Sequence, residues 1–191
     1  MNDNLAYQEE IREELIHGEV VAMSPRPMFN HNRVAFRIAH LFENYLRGKR
    51  CTAIADGTDL HLTETDCFVP DVMVVCDRDK IKADGVHGAP DLVVEVLSPS
   101  TANRDRGYKK EVYARCGVRE YWIVNPADRS VEIYLSREND LVFHRVYSIY
   151  PDFVLEKMTE QERAQVATHF QCSLYDDLDI ALEDIFTGLL P

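Results

Sequence analysis

The chain has 191 residues, 46% of them hydrophobic, which is enough for one domain with a buried core. Its 21 basic and 33 acidic residues give a net charge of −12, which argues against a general nucleic-acid coat protein or a basic membrane-surface protein. No run approaches the roughly 18 apolar residues of a membrane span, and the acidic start lacks the apolar stretch of a secretory signal.

The N-terminal third of the chain predicts helices and strands in alternation. Acidic residues 7–16 predict a short helix, and residues 19–23 predict a strand that ends at an SPRP turn. Apolar residues at helical spacing over residues 30–47 predict an amphipathic helix. Strands are expected at residues 52–55 and 60–63, on either side of an ADGTD turn.

The rest of the chain is rich in predicted strands. Two β-branched runs that each follow a proline, at residues 71–76 and 92–97, predict buried strands. A helix over residues 105–116 should end at Gly117. Further strands are expected at residues 121–124, 131–135 and 141–147, followed by a short helix within residues 159–169 that has a capping box and by a last element at residues 180–186. This order predicts an α+β or mixed α/β fold.

Positive charge is concentrated in one segment. Residues 98–120 carry a net charge of +3, whereas residues 151–191 carry −7. An anionic ligand should therefore prefer the segment 98–120.

The most unexpected polar residue is Glu95, which interrupts the apolar run LVVEVL. A buried carboxylate without partners is so unfavourable that it changes its pKa or pairs with a cation. Asp71, which opens the preceding apolar run, is a better partner for Glu95 than Asp91, which lies about 13 Å along the same strand. The alternatives are a solvated Glu95 on an edge strand and, for both aspartates, ordinary turn chemistry after proline.

A lysine lies on the apolar face of the predicted helix 105–116. Lys109 shares that face with Val112, Tyr113 and Cys116, so it either extends outward along its stem or points at buried anions. The helix follows the strand of Glu95 closely and should pack back on its sheet. Two acids and a lysine at such a position fit metal-assisted phosphodiester hydrolysis.

The motifs VPDVMVV, APDLVVEVLSPST and RDRGYKKEVYARCGVREYWIVNP resemble those of the Uma family of restriction-endonuclease-like proteins, within the PD-(D/E)xK nuclease superfamily. The resemblance extends from HGEVVAMSP to LDIALEDIF and is weakest in the acidic segment at about 151–175. It implies a single domain over residues 1–191 with a mixed β-sheet flanked by helices, and an active site at the end of the sheet.

The resemblance also implies roles for particular residues. Asp71 corresponds to the PD aspartate and Glu95 to the acid of the (D/E)xK element, and both bind the metal together with the backbone carbonyl of Val96. The chain departs from the pattern at the third letter, where Leu97 replaces lysine. The family places that lysine on the following helix, at Lys109.

Other residues are weaker candidates. Glu19 stands where the family often has a glutamate, with an exposed acid as the alternative. His31 lies near the start of the first long helix and is a candidate for substrate contact, with a solvated histidine as the alternative. Asp91 is a candidate near the site. The candidates for substrate contact in the basic segment are Arg104, Arg106 and Lys110.

The leading hypothesis is therefore a cytoplasmic endonuclease that cleaves DNA with Mg²⁺ or Mn²⁺ and acts as a homodimer. The alternatives are a non-catalytic module whose acidic surface binds a protein, with Asp71, Glu95 and Lys109 as a buried ion network, and a small-molecule phosphodiesterase. No motif for a nucleotide cofactor occurs. Five cysteines without a CxxC motif or a Cys/His cluster predict free thiols in a reducing cytoplasm and no structural zinc site.

Overall fold

The computed structural model describes residues 12–23, 28–55 and 57–190. A 3₁₀ turn, Arg78–Lys80, and a π-helical turn, Asp105–Lys109, interrupt the regular elements. The helices are α1 (Phe29–Leu46), α2 (Ala102–Arg104), α3 (Lys110–Cys116), α4 (Asp152–Leu155), α5 (Glu160–Ala164) and α6 (Leu182–Phe186). The strands are β1 (Glu13–Ile16), β2 (Glu19–Ala22), β3 (Thr52–Ala55), β4 (Leu60–His61), β5 (Cys67–Phe68), β6 (Val72–Val75), β7 (Ile81–Lys82), β8 (Gly85–His87), β9 (Leu92–Val96), β10 (Glu120–Asn125), β11 (Ser130–Arg137), β12 (Asp140–Ser148), β13 (His169–Gln171) and β14 (Asp179–Ala181).

A mixed sheet forms the centre of the described part of the chain. Its strand order is β12-β11-β10-β9-β6-β3. The pair β9 and β10 is parallel, and the other neighbouring strands are antiparallel. The strands β6 and β9 are buried along their whole length. Strands covered on both faces tolerate continuous apolar residues, which explains the runs VMVV and LVVEV.

Different layers cover the two faces of this central sheet. On one face, α1 and α6 pack against the sheet, and Phe42 of α1 meets Trp122 of β10 with the ring centroids 5.5 Å apart. On the other face lie α3 and a second sheet with the order β2-β1-β5-β4-β8-β7. The predicted fold class, a mixed α/β arrangement with a mixed sheet flanked by helices, is confirmed.

The N-terminal helix prediction is wrong where the structure describes it. Residues 13–16 form β1, which pairs with β2 in an antiparallel hairpin. The connecting residues His17 and Gly18 have φ values of 55° and 78°, which suit a tight turn between strands. The remainder of the predicted helix and the SPRP turn lie outside the described residues. The strands β5, β7, β8 and β13 were not predicted, because segments of two or three residues carry no periodic signal.

The other predicted elements are confirmed with altered ends. The helix predicted over residues 105–116 begins earlier, at α2, and passes through the π-helical turn before ending at Gly117, whose φ is 97°. The capping box of α5 joins Thr159 and Glu162 as expected, but α5 ends at Ala164.

The prediction of free thiols is wrong for two of the cysteines. Cys51 and Cys76 are joined by a disulfide, because β3 and β6 pair with Thr52 opposite Val75 and so bring the next residues together. The thiols of Cys67, Cys116 and Cys172 are free.

Within the described residues, no helix combines the length and the apolar character needed to cross a membrane.

We expect Gly85→Ala to destabilise the second sheet more than a glycine change without a steric conflict. Gly85 has a φ of 140°, and a Cβ atom there would lie 2.4 Å from the carbonyl oxygen of Asp59. Gly117 also has a positive φ but open space around it. In urea unfolding, Gly117→Ala should lower the free energy of unfolding by about 1–2 kcal/mol because of its positive φ. Gly85→Ala should lower it by this amount and by a further ~1–3 kcal/mol from overpacking. Equal losses would contradict the close approach of β8 to Asp59.

Candidate active site

The side chain of Lys109 is buried among carboxylates from three separate parts of the chain. Its Nζ lies 2.7 Å from Oε1 of Glu14, 3.1 Å from Oε1 of Glu95 and 3.8 Å from Oδ1 of Asp105. All four residues are at most 4% exposed. Buried charges at such distances interact strongly because little water screens them. We call this group, together with Asp71, the Lys109 cluster.

The π-helical turn directs two residues of the cluster inward. Asp105 and Lys109 occupy its two ends, and Gly107 between them has the non-helical angles φ −104° and ψ −105°. The hydroxyl of Tyr121 on β10 donates to the carbonyl oxygen of Asp105 at 3.0 Å, which fixes the turn to the central sheet. Irregular turns of this kind are frequent at functional sites.

Glu95 projects from β9 towards α3. Its Oε1 accepts hydrogen bonds from Lys109 and, at 2.7 Å, from the hydroxyl of Tyr113. Burial raises the pKa of Glu95, the ammonium of Lys109 opposes this rise, and the other carboxylates add to it, so that the pKa lies well above its ordinary value. Burial lowers the pKa of Lys109, but the carboxylates of Glu95, Glu14 and Asp105 more than reverse this effect and raise it. The lysine therefore carries its charge.

Asp71 lies at the start of β6, beside the end of β9. Its Oδ2 accepts a hydrogen bond from the backbone amide of Val96 at 2.7 Å. The same oxygen lies 3.4 Å from Nε2 of His31, near the start of α1. The structure thus brings Asp71, Val96 and His31 together next to Glu95.

The Lys109 cluster contains more carboxylates than cations. Among the described residues it holds the four carboxylates of Glu14, Asp71, Glu95 and Asp105, against the cations Lys109 and Arg104, whose Nη1 lies 3.5 Å from Glu14. The Oδ1 atom of Asp105 is buried without a hydrogen-bond partner among the described residues. Carboxylate and carbonyl oxygens are the ligands that Mg²⁺ and Mn²⁺ prefer. The residues present therefore fit a hard divalent cation.

Two members of the cluster were missed by the sequence analysis. Glu14 was assigned to a helix, and the available signal for a strand was Gly18, which permits the positive φ of a hairpin turn. Asp105 was counted only as part of the basic segment. Its offset of four residues from Lys109 on a helix is a signal for an ion pair.

Other candidates lie elsewhere or have partners within the chain. Glu19 is exposed on β2, and Glu14 of the paired strand takes the buried position. Asp91 lies at the opposite end of β9, where it accepts a hydrogen bond from the backbone amide of Cys76 at 2.8 Å. Among the basic candidates, Arg104 contacts Glu14 and Arg106 contacts Glu132. The ammonium of Lys110 lies over the ring of Tyr134.

Comparisons with known proteins agree with this fold. The family model Uma2, described as "Putative restriction endonuclease", matches residues 2–166. The chain is 36% identical over 140 residues to Uncharacterized protein slr1290 of Synechocystis sp., a match that covers 71% of this chain and 72% of that protein. It is 28% identical over 127 residues to Uncharacterized protein sll1609 of the same organism, which covers 64% of this chain and 71% of the relative.

A solved structure also matches nearly the whole chain. The crystal structure of a "putative nuclease belonging to DUF820" from Anabaena variabilis superposes with a TM-score of 0.69 and 19% sequence identity. The match covers 93% of this chain and 91% of the other. At this identity the likeness establishes a shared fold.

We expect Lys109→Met to destabilise the protein strongly at pH 8 and much less at pH 5. Without the ammonium, the buried carboxylates of Glu95 and Asp105 lose the charge that opposes the rise of their pKa. The folded state then binds more protons than the unfolded state, so its stability rises as the pH falls and is lost as the pH rises through the raised pKa values. In urea unfolding at pH 8, the free energy of unfolding of Lys109→Met should be about 3–5 kcal/mol lower than that of the parent.

Lys110→Met is the matched control for this prediction. Its ammonium lies 5.0 Å from the centroid of the Tyr134 ring, outside the cluster. The control should lose little stability at either pH. A loss for Lys109→Met that is the same at pH 5 and pH 8 would show that the effect comes from packing and not from the buried carboxylates.

Proposed function

We propose that this chain, which belongs to the Uma2 family of "putative restriction endonucleases", hydrolyses phosphodiester bonds of DNA with Mg²⁺ or Mn²⁺. The observation that carries the proposal is the excess of buried carboxylates over cations around Lys109. A site that only stabilised the fold would be expected to balance its charges, because unpaired buried charge is unfavourable. A divalent cation bound there would supply the positive charge that lets these carboxylates ionise together.

The metal would be held by Asp71, Glu95 and the backbone carbonyl of Val96. The hydrogen bond from the Val96 amide to Asp71 keeps this carboxylate against the end of β9, next to the strand position of Glu95. A divalent cation bound there polarises a phosphoryl oxygen and makes water a better nucleophile at neutral pH. His31, beside Asp71, lies where it can contact a substrate that enters at this edge.

The role that we assign to Lys109 is electrostatic. Its ammonium donates to Glu95 and lies within ion-pair distance of Glu14 and Asp105, so its positive charge faces the carboxylates of the cluster. In this position it orients the Glu95 carboxylate and offsets the negative charge that develops on the phosphoryl group. Tyr113 holds the same carboxylate from α3.

The net charge of −12 is the main obstacle to DNA binding, since phosphate contacts come mainly from lysine and arginine. When DNA binds, its phosphate groups replace the intrachain partners of Arg104, Arg106 and Lys110. A homodimer would bring two segments 98–120 and two Lys109 clusters to one duplex, as a palindromic cut through both strands needs.

We expect the parent protein to cleave DNA when Mg²⁺ or Mn²⁺ is present, and Glu95→Gln and Asp71→Asn to lower the rate by about 100-fold or more. Both changes keep the side-chain shape and remove one negative charge. Asp91→Asn is the matched control, because Asp91 also follows a proline at the start of a strand but lies at the other end of β9. The assay covers supercoiled, linear duplex and single-stranded DNA, and RNA.

Two results of this assay would contradict the proposal. If Glu95→Gln or Asp71→Asn cut at the rate of the parent, the cleavage would come from another site or from a contaminant. If the parent cut none of these nucleic acids with either metal, the non-catalytic binding module would be favoured.

We expect Mn²⁺ or Mg²⁺ to raise the melting temperature of the parent, because a ligand that binds only the folded state stabilises it. At a metal concentration of about 100 times the dissociation constant, the shift should be roughly 5–10 °C for a chain of this size. Differential scanning calorimetry should show the shift in Asp91→Asn and not in Asp71→Asn or Glu95→Gln. An equal shift in all four proteins would place the metal outside the Lys109 cluster.

A further inference from the structure

Three short strands of the second sheet expose metal-binding side chains on their outer face. The strands β5, β4 and β8 are neighbours, and each alternates between an inward and an outward residue. The inward residues are fully buried: Phe68, Leu60 and Val86. The outward residues are the metal-binding types Cys67, His61 and His87.

The strand register places these outward residues side by side. His61 is directly opposite Cys67 of β5 and directly opposite His87 of β8. One donor atom each from Asp59, His61 and Cys67 lie within 4.8 Å of one another. A second group of the same compactness contains His61, Asp84 and His87. The rings of His61 and His87 are stacked with centroids 4.4 Å apart.

The backbone holds this arrangement firmly. The amide of Val86 donates to the carbonyl oxygen of Asp59 at 2.8 Å, and the amide of Gly88 donates to that of His61 at the same distance. Only the missing side chain of Gly85 allows β8 to come this close to Asp59. His61 and Cys67 therefore lie on paired strands, and the exposed Asp59 directly precedes β4 and is fixed through its carbonyl oxygen.

We propose that Asp59, His61 and Cys67 bind one divalent cation of the zinc class, at a site separate from the Lys109 cluster. Imidazole and thiolate ligands select Zn²⁺ and Co²⁺, whereas the oxygen ligands of the Lys109 cluster select Mg²⁺ or Mn²⁺. On binding, the S–H bond of Cys67 breaks, its proton leaves to solvent, and a sulfur–metal bond forms. Water fills the remaining coordination position.

The two sites lie on opposite faces of β5. The ring of Phe68, the neighbour of Cys67, faces inward and lies 5.5 Å from the ammonium of Lys109. Cys67 itself pairs with Leu15 of β1, the strand that carries Glu14. A cation at Cys67 would therefore brace the strand that supplies Glu14 without touching the Lys109 cluster.

The chain spacing alone does not predict this site. His61 and Cys67 are separated by five residues, and Asp59 precedes His61 by two. This spacing is neither a CxxC motif nor one of the Cys/His spacings that are typical of zinc sites. Pairing of β4 with β5 brings the imidazole and the thiol together.

Titration of the full chain with Co²⁺ tests this proposal. We expect a thiolate-to-cobalt charge-transfer band in the near ultraviolet that saturates at one equivalent and disappears when Zn²⁺ displaces the cobalt. Cobalt bound only by oxygen ligands gives no such band, so the Lys109 cluster does not interfere. Cys67→Ser should remove the band, and His61→Asn should weaken cobalt binding by about 10–100-fold.

Three control variants make the assignment specific. Cys116→Ser changes the other half-buried free thiol and should leave the band unchanged, as should Glu95→Gln. His87→Asn should leave the affinity within a few-fold of the parent. Circular dichroism checks that each variant is folded, and His61→Asn decides the question if Cys67→Ser does not fold. The proposal is overturned if the parent shows no band, if the band survives Cys67→Ser, or if His87→Asn abolishes binding while His61→Asn does not.

Discussion

The ammonium of Lys109 joins parts of the chain that are otherwise distant in sequence. It meets Glu14 on a strand of the second sheet, Glu95 on the central sheet and Asp105 on the π-helical turn. Each of these carboxylates is buried and would be strongly unfavourable without a cation. The ammonium of Lys109 therefore links the second sheet, the π-helical turn and the central sheet, and the apolar residues between them complete this packing. The same ammonium holds Glu95, one of the two carboxylates proposed to bind the metal, whereas Asp71 is held by the backbone amide of Val96.

A buried carboxylate alone does not mark a functional site in this protein. Glu120 is fully buried at the start of β10, yet its oxygens accept hydrogen bonds from the indole of Trp122 and from the backbone amide of Ser173 at 2.6 and 2.8 Å. These neutral donors satisfy Glu120 within the described part of the chain. The Lys109 cluster differs because its carboxylates lie close to one another and outnumber the nearby cations. The excess of carboxylates over cations, rather than burial, distinguishes the two sites.

Much of the fold follows from local sequence signals, and part of the site does too. The long apolar runs predict β6 and β9, and helical spacing predicts α1 and the helix that carries Lys109. Glu95 and Lys109 can be singled out because each is a charged residue on an apolar face. Glu14 could not be found in this way, since β1 is short and its place beside Lys109 depends on pairing with β5. Asp59, His61 and Cys67 likewise meet only through strand pairing, which no spacing rule contains.

The π-helical turn has a consequence for how this segment can change in evolution. Such a turn holds one residue more than an α-helical turn, and each residue adds a rotation of about 100° around the helix axis. Deleting one residue between Asp105 and Lys109 would rotate one end of the segment by about that angle relative to the other. Either the lysine or the aspartate would then face away from Glu95. The length of this segment is therefore constrained by the phase of the helix, in addition to the identities of the two charged residues at its ends.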